Sequence, residues 1–83
     1  MQEVSEVADA IALLSELSLD NNVPRNVRTK FSELSAKLQS AGEESVKVHN
    51  ALNVLDEISN DLNLDSFTRT QVYGIISNLG KLS

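Results

Sequence analysis

The feature that most constrains this chain is an internal repeat. Residues 13–38 align with residues 54–79 at an offset of 41 positions. Eight aligned positions are identical, whereas typical residue frequencies give roughly two by chance. The identical pairs are Leu14/Leu55, Glu16/Glu57, Ser18/Ser59, Asp20/Asp61, Asn22/Asn63, Arg28/Arg69, Thr29/Thr70 and Leu38/Leu79. Any fold of this chain must therefore contain nearly the same local structure twice.

That local structure is helical, because apolar residues recur at spacings of three and four in four segments. The stripes are Val4, Val7, Ala8, Ile11, Leu14 and Leu17; Val27, Phe31, Leu34 and Leu38; Val48, Leu52, Leu55 and Ile58, widened by Val46, Ala51 and Val54; and Val72, Ile75, Ile76, Leu79 and Leu82. Polar turns separate the helices within each repeat. Gly42 is expected to end the second helix, and Asp65 or Ser66 to cap the fourth.

Four such helices predict an all-α fold in a single domain over residues 1–83. Hairpin one spans about residues 3–41 and hairpin two about residues 43–82. A 41-residue period with two helices per unit resembles HEAT-type repeats, but such stacks usually need about three units for stability. A closed four-helix bundle buries the same stripes without capping repeats. The bundle is therefore the favoured architecture.

Two segments carry a family resemblance: VPRNVR at residues 23–28 and VLDEISND at residues 54–61. Together with the length of the chain and the pair Arg69-Thr70, they resemble uncharacterised protein family 0147, a family of small archaeal proteins. The resemblance implies a four-helix domain and an archaeal cytoplasmic source, and it implies no activity. The chain departs from the family pattern in the second turn, where Leu62 and Asp65 stand in place of prolines.

Composition narrows the class of protein further. The chain has no cysteine, so it has neither a disulfide nor a thiolate metal site, which suits the cytoplasm. No apolar run reaches the roughly 18–20 residues that span a bilayer, so no membrane partner is expected. The formal charge of −5 disfavours nucleic acid as a partner, because such binding relies on lysine and arginine side chains that neutralise phosphates.

Residues shared by both repeats are interpreted as turn architecture. Asp20, Asn22, Asp61, Asn63 and Arg69 form this set of structural turn residues. Each arginine of the pair Arg28 and Arg69 can bond its turn or the carbonyls that close the preceding helix. The alternative is that the two guanidinium groups are presented to phosphate or carboxylate.

Residues that differ between the repeats are where a function can reside. Arg25 and Asn26 in the first repeat face Ser66 and Phe67 in the second. With nearby bases they form a candidate contact for an anion or a partner, near the positive end of a helix. This candidate site comprises Arg25, Asn26, Arg28 and Lys30.

Charge alternates along the chain. Residues 1–23 carry −5, and residues 24–41 carry +3. The simpler interpretation is complementarity between neighbouring helices of the bundle. The alternative is a nucleic-acid accessory protein that uses the basic second helix, Arg25, Arg28, Lys30 and Lys37.

No set of residues designates a catalytic or cofactor site. His49 is the only histidine and has no partner at metal-ligand spacing, while Asp56 and Glu57 point about 100° apart on a helix. Gly74 interrupts the fourth helix and indicates close packing, either with another subunit or within the bundle. The sequence favours a non-enzymatic helical interaction module that binds a protein partner or itself as a small homo-oligomer, without cofactors.

Overall fold

Four α-helices form the molecule in a computed structural model that describes residues 6–81, apart from the side chain of Glu6. They are α1 (Glu6–Leu17), α2 (Arg25–Gln39), α3 (Glu44–Ser59) and α4 (Ser66–Gly80), and residues 6–81 contain no strand. The all-α prediction is confirmed. Val4 and Leu82, at the ends of the first and fourth stripes, lie outside the described residues.

The helices close into a ring. Each helix packs on the next in sequence, and α4 also packs on α1. Since the connections are short, consecutive helices run antiparallel, so the α1–α2 and α3–α4 turns lie at the same end of the bundle. This end is called the turn end below. Contact between α1 and α4 is what a closed bundle requires, and it confirms the predicted four-helix bundle.

The core draws equally on both hairpins. Buried residues pair at the 41-residue offset as Ala10/Ala51, Leu14/Leu55, Leu17/Ile58, Val23/Leu64, Val27/Thr68, Phe31/Val72, Leu34/Ile75 and Leu38/Leu79. This pairing is compatible with the predicted hairpin repeat. Two residues of the expected stripes are wrong: Ala8 is exposed, and Val46 is 53% exposed. Val46 precedes the buried Val48 by two positions, about 200° around α3, and therefore faces solvent.

Gly74 is exposed and has space around it. A Cβ atom built at this position meets nothing within 4 Å, so close packing inside the bundle does not explain the glycine. Gly42 differs, because its φ of +133° is a backbone conformation that side chains rarely adopt.

Gly74→Ala is expected to raise the free energy of unfolding by about 0.5–1 kcal/mol, because alanine restricts the unfolded chain and favours helix. Urea unfolding followed by circular dichroism measures the change. Gly42→Ala is the matched control and should lower stability, since its backbone must stay in the positive-φ region. A destabilised Gly74→Ala variant would show that the position has a contact that the monomer lacks.

Candidate functional site

The two turns at the turn end make the same local hydrogen bonds. Oδ1 of Asp20 accepts from the backbone N–H of Asn22 at 2.9 Å, and Oδ1 of Asp61 accepts from that of Asn63 at 2.8 Å. In each turn the residue after the asparagine donates its backbone N–H to the carbonyl of the aspartate. Such side-chain bonds to a backbone two residues on stabilise a tight turn. These four residues therefore hold the two turns in matching shapes.

The equivalent arginines are bonded differently. Arg69 donates from Nε to the carbonyl of Ser59 at 3.1 Å and from Nη2 to the carbonyl of Asp61 at 2.8 Å. Within residues 6–81, Arg28 donates only from Nη1 to Oδ1 of Asn21, at 3.3 Å, and its buried Nε has no partner. Arg69 thus closes the end of α3, whereas the guanidinium of Arg28 is poorly satisfied by the fold.

The two helices that begin at the turn end also differ in their caps. Asp65 precedes α4 and accepts hydrogen bonds from the backbone N–H of Thr68 at 3.1 Å and from its hydroxyl. These bonds hold the pKa of Asp65 below its ordinary value, the hydroxyl bond being the largest cause. Pro24 occupies the matching position before α2 and provides no side-chain cap. The N-terminus of α2 therefore has no carboxylate at its cap or in its first turn.

A shallow cleft lies between the end of α1 and the face of α2. It has a volume of about 360 Å³, and its lining residues are Ser18, Arg25, Arg28, Thr29 and Ser32. We call it the arginine cleft. It brings together two of the four candidate contact residues, because Arg25 and Arg28 are almost one helical turn apart. Asn26 is exposed, and neither it nor Lys30 lines the cleft.

Large apolar side chains are exposed at the turn end. Leu19 is 80% exposed, Leu62 is 95% exposed and Phe67 is 65% exposed. We call these three residues the apolar turn end. Leu19 and Phe67 also line a cavity of about 360 Å³ between α1 and α4. The other residues of its wall are Leu13, Glu16, Leu17, Asp20 and Gln71.

Sequence reasoning missed the apolar turn end as a site. The available signal was that Leu19 and Leu62 lie in polar turns, outside the helical stripes, where burial is not expected. The sequence distinguishes Phe67 only as the counterpart of Asn26 in the second repeat. Its closeness to α1 follows from the packing of α4 on α1, which no local pattern indicates.

Three of the basic side chains bond uncharged oxygens. Lys47 donates from Nζ to the carbonyl of Ser40 at 2.7 Å and so closes the end of α2, while Arg28 and Arg69 bond amide and carbonyl oxygens. These three side chains therefore do not provide the expected charge complementarity between neighbouring helices.

The remaining chemical candidates are dispersed. His49, Asp56 and Glu57 are exposed on α3. Within residues 6–81, His, Asp and Glu side chains form no group of three or more that is placed to hold a metal ion. Over the same residues, no helix combines the length and apolar character needed to cross a membrane.

Comparison with known sequences gives one family. Residues 1–82 match the model of a family described as uncharacterised protein family UPF0147. A UPF0147 protein of Methanocaldococcus jannaschii is 39% identical over 79 residues, which cover 93% of this chain and 85% of that protein. One of Archaeoglobus fulgidus is 37% identical over 83 residues, which cover 100% of this chain and 88% of that protein.

Two crystal structures are similar to the whole bundle. A protein from family UPF0147 of Thermoplasma acidophilum aligns with a TM-score of 0.88 and 39% identity, over 94% of this chain and 93% of that one. A protein of unknown function aligns with a TM-score of 0.88 and 31% identity, over 100% of this chain and 99% of that one. The four-helix fold is thus shared with solved structures.

Proposed function

Since the chain belongs to uncharacterised protein family UPF0147, whose description names no activity, we propose that it is a non-enzymatic interaction module that binds a second copy of itself. The family resemblance carried by residues 23–28 and 54–61 is confirmed by this membership. The observation that carries the proposal is the apolar turn end. Three large side chains are exposed together at one end of the bundle, away from the core they would normally join.

Exposed apolar residues scattered singly need no explanation, whereas a group on one surface marks an interaction site. Leu19 and Phe67 line the same cavity, so these two side chains belong to one surface. Leu62 lies in the neighbouring turn of the same end. Burying them against another surface would remove apolar area from water, at about 25 cal/mol per Å².

Charge at the turn end favours a second copy as the occupant. Glu16 and Asp20 line the cavity beside Leu19, while Arg25 and Arg28 line the arginine cleft. In a twofold-symmetric dimer each surface meets its own copy, so acids of one subunit can face bases of the other. The end therefore contains both halves of a complementary pair.

The size of the turn end sets the expected strength of the contact. The apolar turn end consists of three exposed side chains, whereas a stable complex of standard size buries roughly 800 Å² and about 20–30 residues on each partner. The dimer is therefore expected to be transient.

Sedimentation equilibrium of the wild-type chain should show a monomer–dimer equilibrium with a dissociation constant on the order of 0.1 mM, a value typical of small interfaces. Phe67→Ser and Leu62→Ser should each raise this constant at least about tenfold, because each removes an apolar contact. Both side chains are mostly exposed in the monomer, so the variants should remain folded.

Val46→Ser is the matched control. Val46 is 53% exposed, but it lies in the first turn of α3, at the end opposite the turn end. Its substitution should leave the dissociation constant within about twofold, because interfacial energy is concentrated in the few residues that make contact. A chain that stays monomeric at 1 mM would overturn the proposal, and so would a dimer that Val46→Ser weakens as much as Phe67→Ser.

A further inference from the structure

We propose that the arginine cleft binds a phosphate-type oxyanion through Arg25 and Arg28. The cleft is a feature of the first hairpin. In the second hairpin the matching arginine, Arg69, is held by two carbonyl oxygens and is not free to bind a ligand. Arg25 and Arg28 are also the bases that can face the acids of a second copy in the proposed dimer. Phosphate binding is therefore tested at a chain concentration well below the dissociation constant of that dimer, where it does not depend on self-association.

The bonding of Arg28 is the first observation. Nε of Arg28 is buried without a partner, and Nη1 makes one long bond to the exposed amide of Asn21. A buried donor on a charged group is unfavourable when it lacks an acceptor. A phosphate oxygen pair can accept from a guanidinium in the two-pronged geometry that this group prefers. Because Nε itself is buried, an anion in the cleft is expected to bind Arg28 through its Nη groups, of which Nη1 makes one long bond.

The charge of the lining is the second observation. Both ionised residues of the cleft, Arg25 and Arg28, are cationic, and no carboxylate lines it. The N-terminus of α2 adds partial positive charge, which no capping carboxylate offsets. In the second hairpin Asp65 occupies the matching cap position and supplies an anion from the chain itself. The first hairpin thus has the positive potential without the internal anion.

Hydroxyl groups complete the lining. Ser18, Thr29 and Ser32 line the cleft beside the two arginines. The position of Ser32 is taken by Tyr73 in the second repeat, so this set of small hydroxyl residues is not duplicated. Ser18 and Thr29 already donate their hydroxyl protons to the carbonyls of Ser15 and Arg25, at 2.7 and 3.1 Å. The two arginines and Ser32 are therefore the side-chain donors that the cleft offers to a tetrahedral oxyanion.

The ligand is a single phosphate group rather than a nucleic-acid backbone. The other basic residues of α2, Lys30 and Lys37, do not line the cleft. The basic side chains therefore do not form one continuous row that could contact successive phosphates of a nucleic acid. Acidic residues Glu16 and Asp20 line the cavity beside Leu19 and do not line the arginine cleft. The site therefore suits one dianionic group on a small molecule.

Titration of the ¹⁵N-labelled full chain with sodium phosphate at constant ionic strength tests the site. Saturable shifts are expected at residues 25–32 and at the Nε–H signal of Arg28, with a dissociation constant on the order of 1 mM. The chain is also titrated with O-phosphoserine and with adenosine 5′-monophosphate. The ligand with the lower dissociation constant identifies the kind of molecule that carries the phosphate group. Sodium acetate is expected to bind at least about fivefold more weakly, because a carboxylate has fewer acceptors and less charge.

Arg25→Gln and Arg28→Gln should each raise the dissociation constant for phosphate at least about tenfold. Lys37→Gln is the matched control, since it removes the same charge from α2 outside the cleft, and should change the constant at most about twofold. Circular dichroism of each variant verifies that it is folded. If Arg28→Gln fails to fold, Arg25→Gln alone decides.

Three outcomes would overturn the proposal. The first is the absence of saturable shifts up to 50 mM phosphate. The second is an equal loss of binding in Lys37→Gln and Arg25→Gln, which indicates general charge attraction. The third is binding of a single-stranded RNA that requires Lys30 and Lys37 as well as Arg25, without binding of free phosphate, which indicates a nucleic-acid surface instead.

Discussion

Phe31→Ala is expected to lower the free energy of unfolding by about 3–5 kcal/mol, the range for removing a fully buried aromatic side chain. Phe31 is 0% exposed and is the largest fully buried side chain among the described residues. Net stability of a domain this small is typically only a few kcal/mol, so the variant should be largely unfolded at 25 °C. Guanidinium unfolding followed by circular dichroism measures the difference.

Phe67→Ala provides the matched control for this prediction. The substitution is chemically the same, but Phe67 is 65% exposed, so its truncation should change the free energy of unfolding by less than about 0.5 kcal/mol. Both variants are measured at low micromolar concentration, where the proposed dimer is dissociated. Equal losses in the two variants would contradict the assignment of Phe31 to the core and of Phe67 to the surface.

Arg69→Met is expected to lower the free energy of unfolding by about 1.5–3 kcal/mol, the range for hydrogen bonds to a charged group. The substitution removes both donors that hold the carbonyls of Ser59 and Asp61 while keeping an aliphatic stem. The hydrogen bonds to these carbonyls stabilise the end of α3 and the turn that follows, so losing the bonds should also loosen the turn. Thermal unfolding and amide exchange at residues 60–65 measure the two effects.

Arg28→Met, at the equivalent position, should change stability by less than about 0.5 kcal/mol or increase it slightly. Its guanidinium makes one long bond and leaves Nε buried without an acceptor, so its removal also removes a desolvated donor. The comparison separates a structural arginine from one that is available for a ligand. Equal destabilisation by the two substitutions would show that both arginines act only as turn architecture.

The local pattern of the sequence is sufficient to predict the four helices and most of the core residues. Leu14, Phe31, Leu55 and Leu79 are all 0% exposed, and each lies on a stripe that its spacing defines. Ala8 and Val46 are the exceptions, because both belong to predicted stripes and are exposed; the angular position of Val46 on α3 faces solvent.

The candidate site was only partly accessible to the same reasoning. Neighbours in sequence suggested that Arg25, Asn26, Arg28 and Lys30 form one group, but a helix distributes such neighbours over different faces. Only Arg25 and Arg28 of these four line the cleft, and its wall includes Ser18 from the preceding turn. The cavity beside Phe67 depends on contact between α1 and α4, which are separated by the two intervening helices.

The sequence by itself determined where the helices lie and most of the residues that enter the core, and its repeat predicts that the hairpins correspond. Such features depend on the spacing of neighbouring residues, and spacing is local. Only the tertiary structure decided that α4 packs on α1, and that identical arginines have different roles. The reason is physical: a guanidinium is satisfied only when acceptors lie within hydrogen-bond distance, and packing places them there for Arg69 but not for Nε of Arg28.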